Sequence, residues 1–498
     1  MPNHPNILWL MADQFRADCL GFLGHPAAQT PNLDRLAADG IAFENAFCQS
    51  PVCMASRGSL LTGRYPSTLH IRGMGLLPPS ETTTPEWVQR HGYRTGVFGK
   101  LHLTPQLYTK QVLGSTRPIL DWRPFAREAV LPPIPDDPCK ENYGFQEHVD
   151  VEDSLPGVFQ EWLEKQRPDL AGRKIERIPG GPGDLFVSPY PSDCHPTSFI
   201  AREAEAFIRR QTGPWLTFCS FVGPHHPFEA PADQIARFDE ASIPLPDFKG
   251  GVDGRFIPEP ARKAIDEVLA WPDDIKRRVT LHYLAAIRLI DENVGRLLRA
   301  LEETGQLENT LVVFNADHGE FLGNHGLIRK PSLHYDEVIR VPLLMRLPGK
   351  KAAGRRVTEL VELTDVHPTL LRLAGLEVNP GVQGRDWSEA LLNNLPIGRE
   401  SILSDMYDDP IRPETCKIVG GGPYMAVQTL RTAQWKLNVY PTAGPEFGQL
   451  FDLAHDPSES RNLYGDPAFR EIRESLLWRL LQRITANVDP LPRCLSQW

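Results

Sequence analysis

Several stretches of this chain are almost wholly apolar rather than alternately apolar and polar. Asn6–Met11 (NILWLM), Trp215–Gly223 (WLTFCSFVG), Leu311–Ala316 (LVVFNA) and Arg340–Gly349 (RVPLLMRLPG) are the clearest. A strand can be apolar on both faces only where both faces are covered. That condition is met inside a mostly parallel sheet flanked by helices. Helical patterns lie between the strands, as such a sheet requires. Thr30 reads as an N-cap, with Pro31 at the first helical position, Leu33, Leu36 and Ala37 as the apolar stripe, and Gly40 as the stop. Thr84–Tyr93, Thr197–Arg210 and the TDVHPTLLRLAG segment are further helices. Asp273–Glu303 carries a long 3.6-residue period through Leu281, Leu284, Ile287, Ile290, Val294, Leu297 and Leu301. RTGVFGK (Arg94–Lys100) is another strand. The expected fold class is therefore α/β, with a mostly parallel central sheet.

After about Gly381 the texture changes. MAVQTLRTAQWKLNVY and GQLFDLAHDP read as short strands of an antiparallel sheet, closed by a helix near Glu471–Ile484. The expected division is an α/β domain over 1–385 and a smaller C-terminal α+β subdomain over 386–498. The Pro/Gly-rich stretch Ile178–Pro196 reads as a long loop over the site.

The chain has 498 residues and a net charge of −10, with no internal repeat. An acidic surface argues against nucleic acid or an anionic membrane as partner, and leaves a local basic pocket and a homo-oligomer open. No segment approaches the ~18 apolar residues of a membrane span. The N-terminal apolar run reads as a core strand rather than a secretory signal. The 8 cysteines are scattered, without a CxxC pair. Reduced thiols and a cytoplasmic location are expected.

Open α/β sheets bind ligands beyond the carboxyl ends of their strands. Four expected strand ends carry chemistry there: Asp13 and Gln14, Lys100 and His102, His225 and His226, and Asp317 and His318. Each alone has a plain alternative as cap, turn former or solvated side chain. Together they assemble a site. Two carboxylates and an amide oxygen suit Ca²⁺, Mg²⁺ or Mn²⁺, and the imidazole leaves Mn²⁺ or Zn²⁺ open. Nearby ammonium and guanidinium groups suit a tetrahedral oxyanion held against that cation. Cys53 precedes what looks like a first helical turn, where backbone N–H groups and the helix dipole favour a thiolate. A buried inert cysteine is the competing reading. Trp162 and Trp215 read as core side chains, as does Trp122.

CMASRGSLLTGR (Cys53–Arg64) resembles the C-x-P/A-S-R-x-x-x-L/M-T-G-R signature of formylglycine-dependent sulfatases in the alkaline phosphatase superfamily. PNILWLMADQ is similar to the family's first metal-binding strand, and GYRTGVFGKLHL to its G-K-x-H element. GPHHPF resembles the histidine loop, NADHGEFLGNHG the second metal motif, and LFDLAHDPSESRNL the usual C-terminal ending. The resemblance implies an alkaline phosphatase-like fold and hydrolysis of a sulfate ester to an alcohol and inorganic sulfate. It implies oxidation of Cys53 to formylglycine by a maturation enzyme, and attack on sulfur by the aldehyde hydrate. Asp13, Gln14, Asp317, His318 and the residue-53 oxygen would hold one divalent cation, Ca²⁺ first, Mn²⁺ or Mg²⁺ as alternatives. Arg57, Lys100 and His102 would stabilise the hydrate and the sulfuryl oxygens. His225 and Lys330 would face the leaving oxygen, with His225 the proton donor. Ala55 stands where many members have Pro, Gln14 where many have Asp, and His318 where many have Asn. The last two resemble the branch of choline sulfatases and phosphonate monoester hydrolases, whereas Lys100 and His102 resemble sulfatases. A phosphonate monoester or phosphodiester hydrolase is therefore the second reading, and a non-catalytic metal-binding protein with unmodified Cys53 the third.

Overall fold

The computed structural model describes residues 4–71, 73, 75–104, 137–152, 157–173, 176–178, 182, 185–247, 265–407 and 426–490. Trp122 and most of the Thr104–Tyr143 segment lie outside them. The central sheet has 8 strands in the order β11-β2-β10-β9-β1-β7-β3-β4. In chain order these are β1 (Asn6–Asp13), β2 (Ile41–Phe47), β3 (Arg94–Gly99) and β4 (Glu147–Asp150), then β7 (Trp215–Pro224), β9 (Thr310–Ala316), β10 (Arg340–Arg346) and β11 (Arg355–Glu362). Every pair is parallel except the two made by β10, which runs antiparallel to β2 and β9.

All eight residues of β1 and all seven of β9 are buried, which is why their sequences lack alternation. Helices Pro196–Arg210 and Asp273–Glu303 cover the sheet, and the long helix packs on both β7 and Pro196–Arg210. Trp9 and Trp215 are wholly buried, yet each indole N–H has a partner: Trp9 donates to Asn315 at 2.8 Å and Trp215 to Gln306 at 2.8 Å. Trp162 packs on Phe159 and Phe199. Among the described residues no helix is long and apolar enough to cross a membrane.

A second sheet, β12 (Ser401–Tyr407), β13 (Ala426–Thr432), β14 (Trp435–Val439) and β15 (Gly448–Asp452), is antiparallel throughout. Helix Arg470–Ala486 closes it by burying Leu476 and Leu480 against Leu403, Leu430, Leu437 and Leu450.

The structure departs from the sequence reading at two places. Ile178–Pro196 is not all loop: Leu185–Ser188 forms β6, which lies between β5 (Glu176–Arg177) and β8 (Phe228–Pro231) in a small third sheet. β8 follows directly on His225–Pro227, so that sheet braces the histidine loop. The Thr30 hydroxyl does not cap the Pro31–Ala38 helix. It donates to Asp34 at 3.0 Å, while the Asp291 carboxylate accepts from the Asn32 and Leu33 amides at 3.0 and 2.8 Å. A full charge brought from the long helix outcompetes a local hydroxyl for the same free N–H groups.

Candidate functional site

The strand order puts β9, β1, β7 and β3 side by side and parallel, so their carboxyl ends open on one edge. Asp13 ends β1, Lys100 follows β3, His225 follows β7 and Asp317 follows β9. Register slips between Ala12 and Asp13, where Asp13 pairs with Pro224. Such a bulge re-aims the side chain at a sheet rim. Gly99 has φ +99°, and a Cβ there would lie 1.9 Å from the Ser220 carbonyl oxygen. Only glycine allows β3 to close on β7 and then turn out Lys100, whose N–H donates to that same oxygen at 2.9 Å.

Cys53 is the first residue of helix Cys53–Thr62, and Arg57 lies one turn further on. The wholly buried Arg57 guanidinium ties the site together. Its Nε donates to Asp317 Oδ2 at 2.9 Å and its Nη2 to Asp13 Oδ2 at 3.1 Å. Nη1 donates to the Lys100 carbonyl at 2.5 Å and to Ser220 Oγ at 3.0 Å. Lys100 Nζ also reaches Asp13 Oδ2, at 2.8 Å. Burial works against the charge on Arg57, but Asp317 and Asp13 hold it protonated beyond its ordinary range.

One oxygen of each carboxylate is thus spent on cations of the protein; of the others, Asp13 Oδ1 lies 3.8 Å from Cys53 Sγ, and Asp317 Oδ1 accepts from the Gln14 and His318 amides at 3.0 and 2.9 Å. Atoms of Asp13, Cys53, Asp317 and His318 lie within 4.8 Å of one another, and all four residues are buried. His318 Nδ1 donates to the Gly319 carbonyl at 3.0 Å, which leaves the Nε2 lone pair directed inward. That Nε2 lies 3.2 Å from Cys53 Sγ. Lys330 Nζ stands 3.0 Å from Cys53 Sγ, 2.9 Å from His318 Nε2 and 3.1 Å from Gln14 Oε1. Two carboxylates, an amide oxygen and an imidazole nitrogen converge, a donor set that fits a hard or borderline dication.

Burial would push the Cys53 thiol up, but Lys330, Lys100 and His318, helped by a hydrogen bond with His102, hold it well below the ordinary range. Burial and Cys53 would likewise raise Asp13, yet Lys100, His225 and Arg57 hold it below the usual carboxylate range. The position is one that stabilises negative charge on residue 53. His102 sits on a left-handed backbone, φ 50°, with its amide on Glu152 at 3.0 Å. The His225 and His226 rings stack with centroids 4.1 Å apart, and His225 Nδ1 donates to the His226 carbonyl at 2.5 Å. Burial, then His225, Lys330 and Arg329, push His226 far below its ordinary range, so its ring is uncharged.

All ten residues singled out from sequence (Asp13, Gln14, Cys53, Arg57, Lys100, His102, His225, Asp317, His318 and Lys330) border this one edge. Of the groups that support them, sequence reasoning had Ser56, within the CMASRGSLLTGR signature, and missed the others. Ser56 Oγ donates to the Asp317 carbonyl at 2.6 Å, and Ser220 Oγ accepts from Arg57. Tyr283 hydroxyl donates to the Gln14 carbonyl at 2.5 Å. Glu320, wholly buried, accepts from the Gln14 side-chain amide. Burial pushes the Glu320 carboxyl up against the donors that favour its charge. The last acid of DHGE was the one available signal, and its spacing also fits a turn.

A Sulfatase family model matches residues 5–376, and a model for the C-terminal region of N-sulphoglucosamine sulphohydrolase matches residues 323–486. An arylsulfatase of Clostridium perfringens is 30% identical over 481 residues, covering 94% of this chain and 92% of that protein. A multifunctional alkaline phosphatase superfamily protein of Trinickia caryophylli is 27% identical, covering 95% of each. The solved phosphonate monoester hydrolase of Silicibacter pomeroyi superposes with a TM-score of 0.79 at 25% identity, covering 99% of this chain and 98% of that one.

Proposed function

The chain belongs to the sulfatase family, and from that premise we propose that it hydrolyses a small-molecule sulfate ester to an alcohol and inorganic sulfate, with Cys53 the precursor of a formylglycine nucleophile and Ca²⁺ on Asp13, Gln14, Asp317 and His318. The carrying observation is the position of Cys53. Its sulfur heads a helix N-terminus within 3.0 Å of Lys330 Nζ and 3.2 Å of His318 Nε2, with Lys100 behind Asp13.

Held by Asp13, Gln14, Asp317 and His318, a dication would supply Lewis-acid polarisation of the sulfuryl group. Oxidised to formylglycine and hydrated, residue 53 would supply an oxygen nucleophile and a second hydroxyl whose deprotonation expels sulfate. Everything else is done by the chain's own side chains. Arg57 fixes the rotamers of Asp13 and Asp317, so their inner oxygens keep one geometry. Lys100 brings an ammonium group to the equatorial oxygens of the sulfuryl group, where charge persists through the transition state, and Lys330 brings another to the leaving oxygen. His102, hydrogen-bonded to residue 53, takes and returns the proton of the attacking group. His225 protonates the departing alkoxide from the far side, its ring held by stacking on His226.

Residues 53–57 are all buried, Cys53 at 3% exposure and Arg57 at 0%. A maturation enzyme therefore reads this segment before helix Cys53–Thr62 packs. The six free thiols among the described residues (Cys19, Cys48, Cys53, Cys139, Cys194 and Cys219) support a reducing, cytoplasmic setting.

A phosphonate monoester or phosphodiester hydrolase is the second reading, favoured by the likeness to the Silicibacter pomeroyi enzyme. The two are separated by kcat/KM on an aryl sulfate and on a phenyl phosphonate ester. We expect the sulfate to be preferred. A preference of about a thousandfold for the phosphonate, some 4 kcal/mol of transition-state binding, overturns the first reading.

A further inference from the structure

We propose that Glu320 is a positioning residue that makes Gln14 an oxygen ligand and sets back, one hydrogen bond behind it, the negative charge that this ligand lacks. The inference rests on the cation site proposed above. Gln14 is held from both ends. Its Nε2 donates to Glu320 Oε2, and its Oε1 accepts from Lys330 Nζ at 3.1 Å. A carboxylate can only accept and an ammonium can only donate, so one amide orientation satisfies both. That orientation turns the oxygen toward Cys53 and His318 and the NH₂ away from them. The second Glu320 oxygen accepts from the Leu322 amide at 2.8 Å and from the Arg329 amide. Both donors lie on left-handed backbone, φ 52° and 65°. The same carboxylate therefore fixes the loop that carries Lys330. Tyr283 and Asp317 hold the Gln14 backbone, itself at φ 64°, so the side chain has little freedom except the amide flip.

The consequence is specific. In Glu320→Gln, the new carbonyl oxygen can still serve the Leu322 and Arg329 amides, but the new NH₂ faces Gln14. Two NH₂ groups cannot share a hydrogen bond. Gln14 must flip, and its NH₂ then points at the cation position. In the double variant Gln14→Glu with Glu320→Gln, the NH₂ of residue 320 meets a carboxylate, and the other carboxylate oxygen faces the site. Total charge is that of the wild type.

The test uses purified protein stripped with EDTA. Ca²⁺ binding is followed calorimetrically and Mn²⁺ binding by EPR, with apo-state Tm measured in parallel. Glu320→Gln should weaken binding of both ions by about 10- to 100-fold, the range for losing a group that orients a ligand. The double variant should recover most of that loss. Gln14→Glu alone sets two carboxylates in contact, so its apo Tm should fall below those of the wild type and the double variant. Wild-type affinity in Glu320→Gln, or a double variant no better than Glu320→Gln, overturns the inference. A wild-type protein that binds neither ion overturns the cation-site reading and this inference with it.

Discussion

Removing Arg57 tests the electrostatic frame of the site. The side chain is wholly buried and makes four hydrogen bonds, two of them to the carboxylates of Asp13 and Asp317. Bonds from a charged donor contribute about 1.5–3 kcal/mol each, a gross loss of about 6–12 kcal/mol for the four. Part of it is retained, because Lys100 still neutralises Asp13 at 2.8 Å, and the Gln14 and His318 amides still bond Asp317 at 3.0 and 2.9 Å. The net cost of Arg57→Ala should be about 3–5 kcal/mol, as for other broken buried ion pairs. Urea unfolding followed by fluorescence in EDTA measures it. Repeating the titration in saturating Ca²⁺ should shrink the deficit, since loss of a neighbouring positive charge makes the two carboxylates bind the dication more tightly than in the wild type, which Ca²⁺ stabilises too. A tenfold gain in affinity recovers about 1.4 kcal/mol. A deficit below about 1 kcal/mol in EDTA, or one indifferent to Ca²⁺, would mean that Arg57 does not hold the two carboxylates together.

Asp150 ends β4 with its Oδ1 buried and without a hydrogen-bond partner, and burial, with Glu152 nearby, pushes its carboxyl up from 3.8 to about 8. A folded-state value above the unfolded one means that its stabilising proton is lost as pH rises from about 4 to 8. Wild-type stability then falls by up to about 1.4 kcal/mol per unit across that window. Asp150→Asn should match wild type near pH 4–5 and gain progressively toward pH 8 in thermal unfolding; a pH-independent offset contradicts this. His225→Ala should cut kcat/KM by about 10²–10⁴ on alkyl sulfates, whose leaving oxygen needs a proton, and far less on nitrophenyl sulfate. Equal losses on both would remove His225 from the role of proton donor.

The parts of the site legible in sequence were those set by strand ends. β1 and β9 are buried on both faces, so their apolar runs announce parallel strands, and the first polar residues after each are the ones delivered to the edge. Strands with other surroundings were not legible. β2 is interrupted by the half-exposed Glu44 and Asn45, and β11, at the sheet edge, begins with arginines and carries exposed charge. β6 lay hidden in a Pro/Gly-rich stretch, because its pairing partner β8 comes 40 residues later. The supporting groups failed for the same physical reason. Asp291 caps a helix 259 residues away, and Glu320 orients an amide 306 residues away. Their partners are set by packing, to which local spacing carries no pointer.

Residue 53 is the proposed precursor of the nucleophile, and mass spectrometry of the peptide spanning it reads its chemical state. Protein from its native host should show the mass loss of a thiol converted to an aldehyde, with the aldehyde fraction rising in step with aryl sulfatase activity. A fully active protein whose residue 53 is entirely thiol would contradict it.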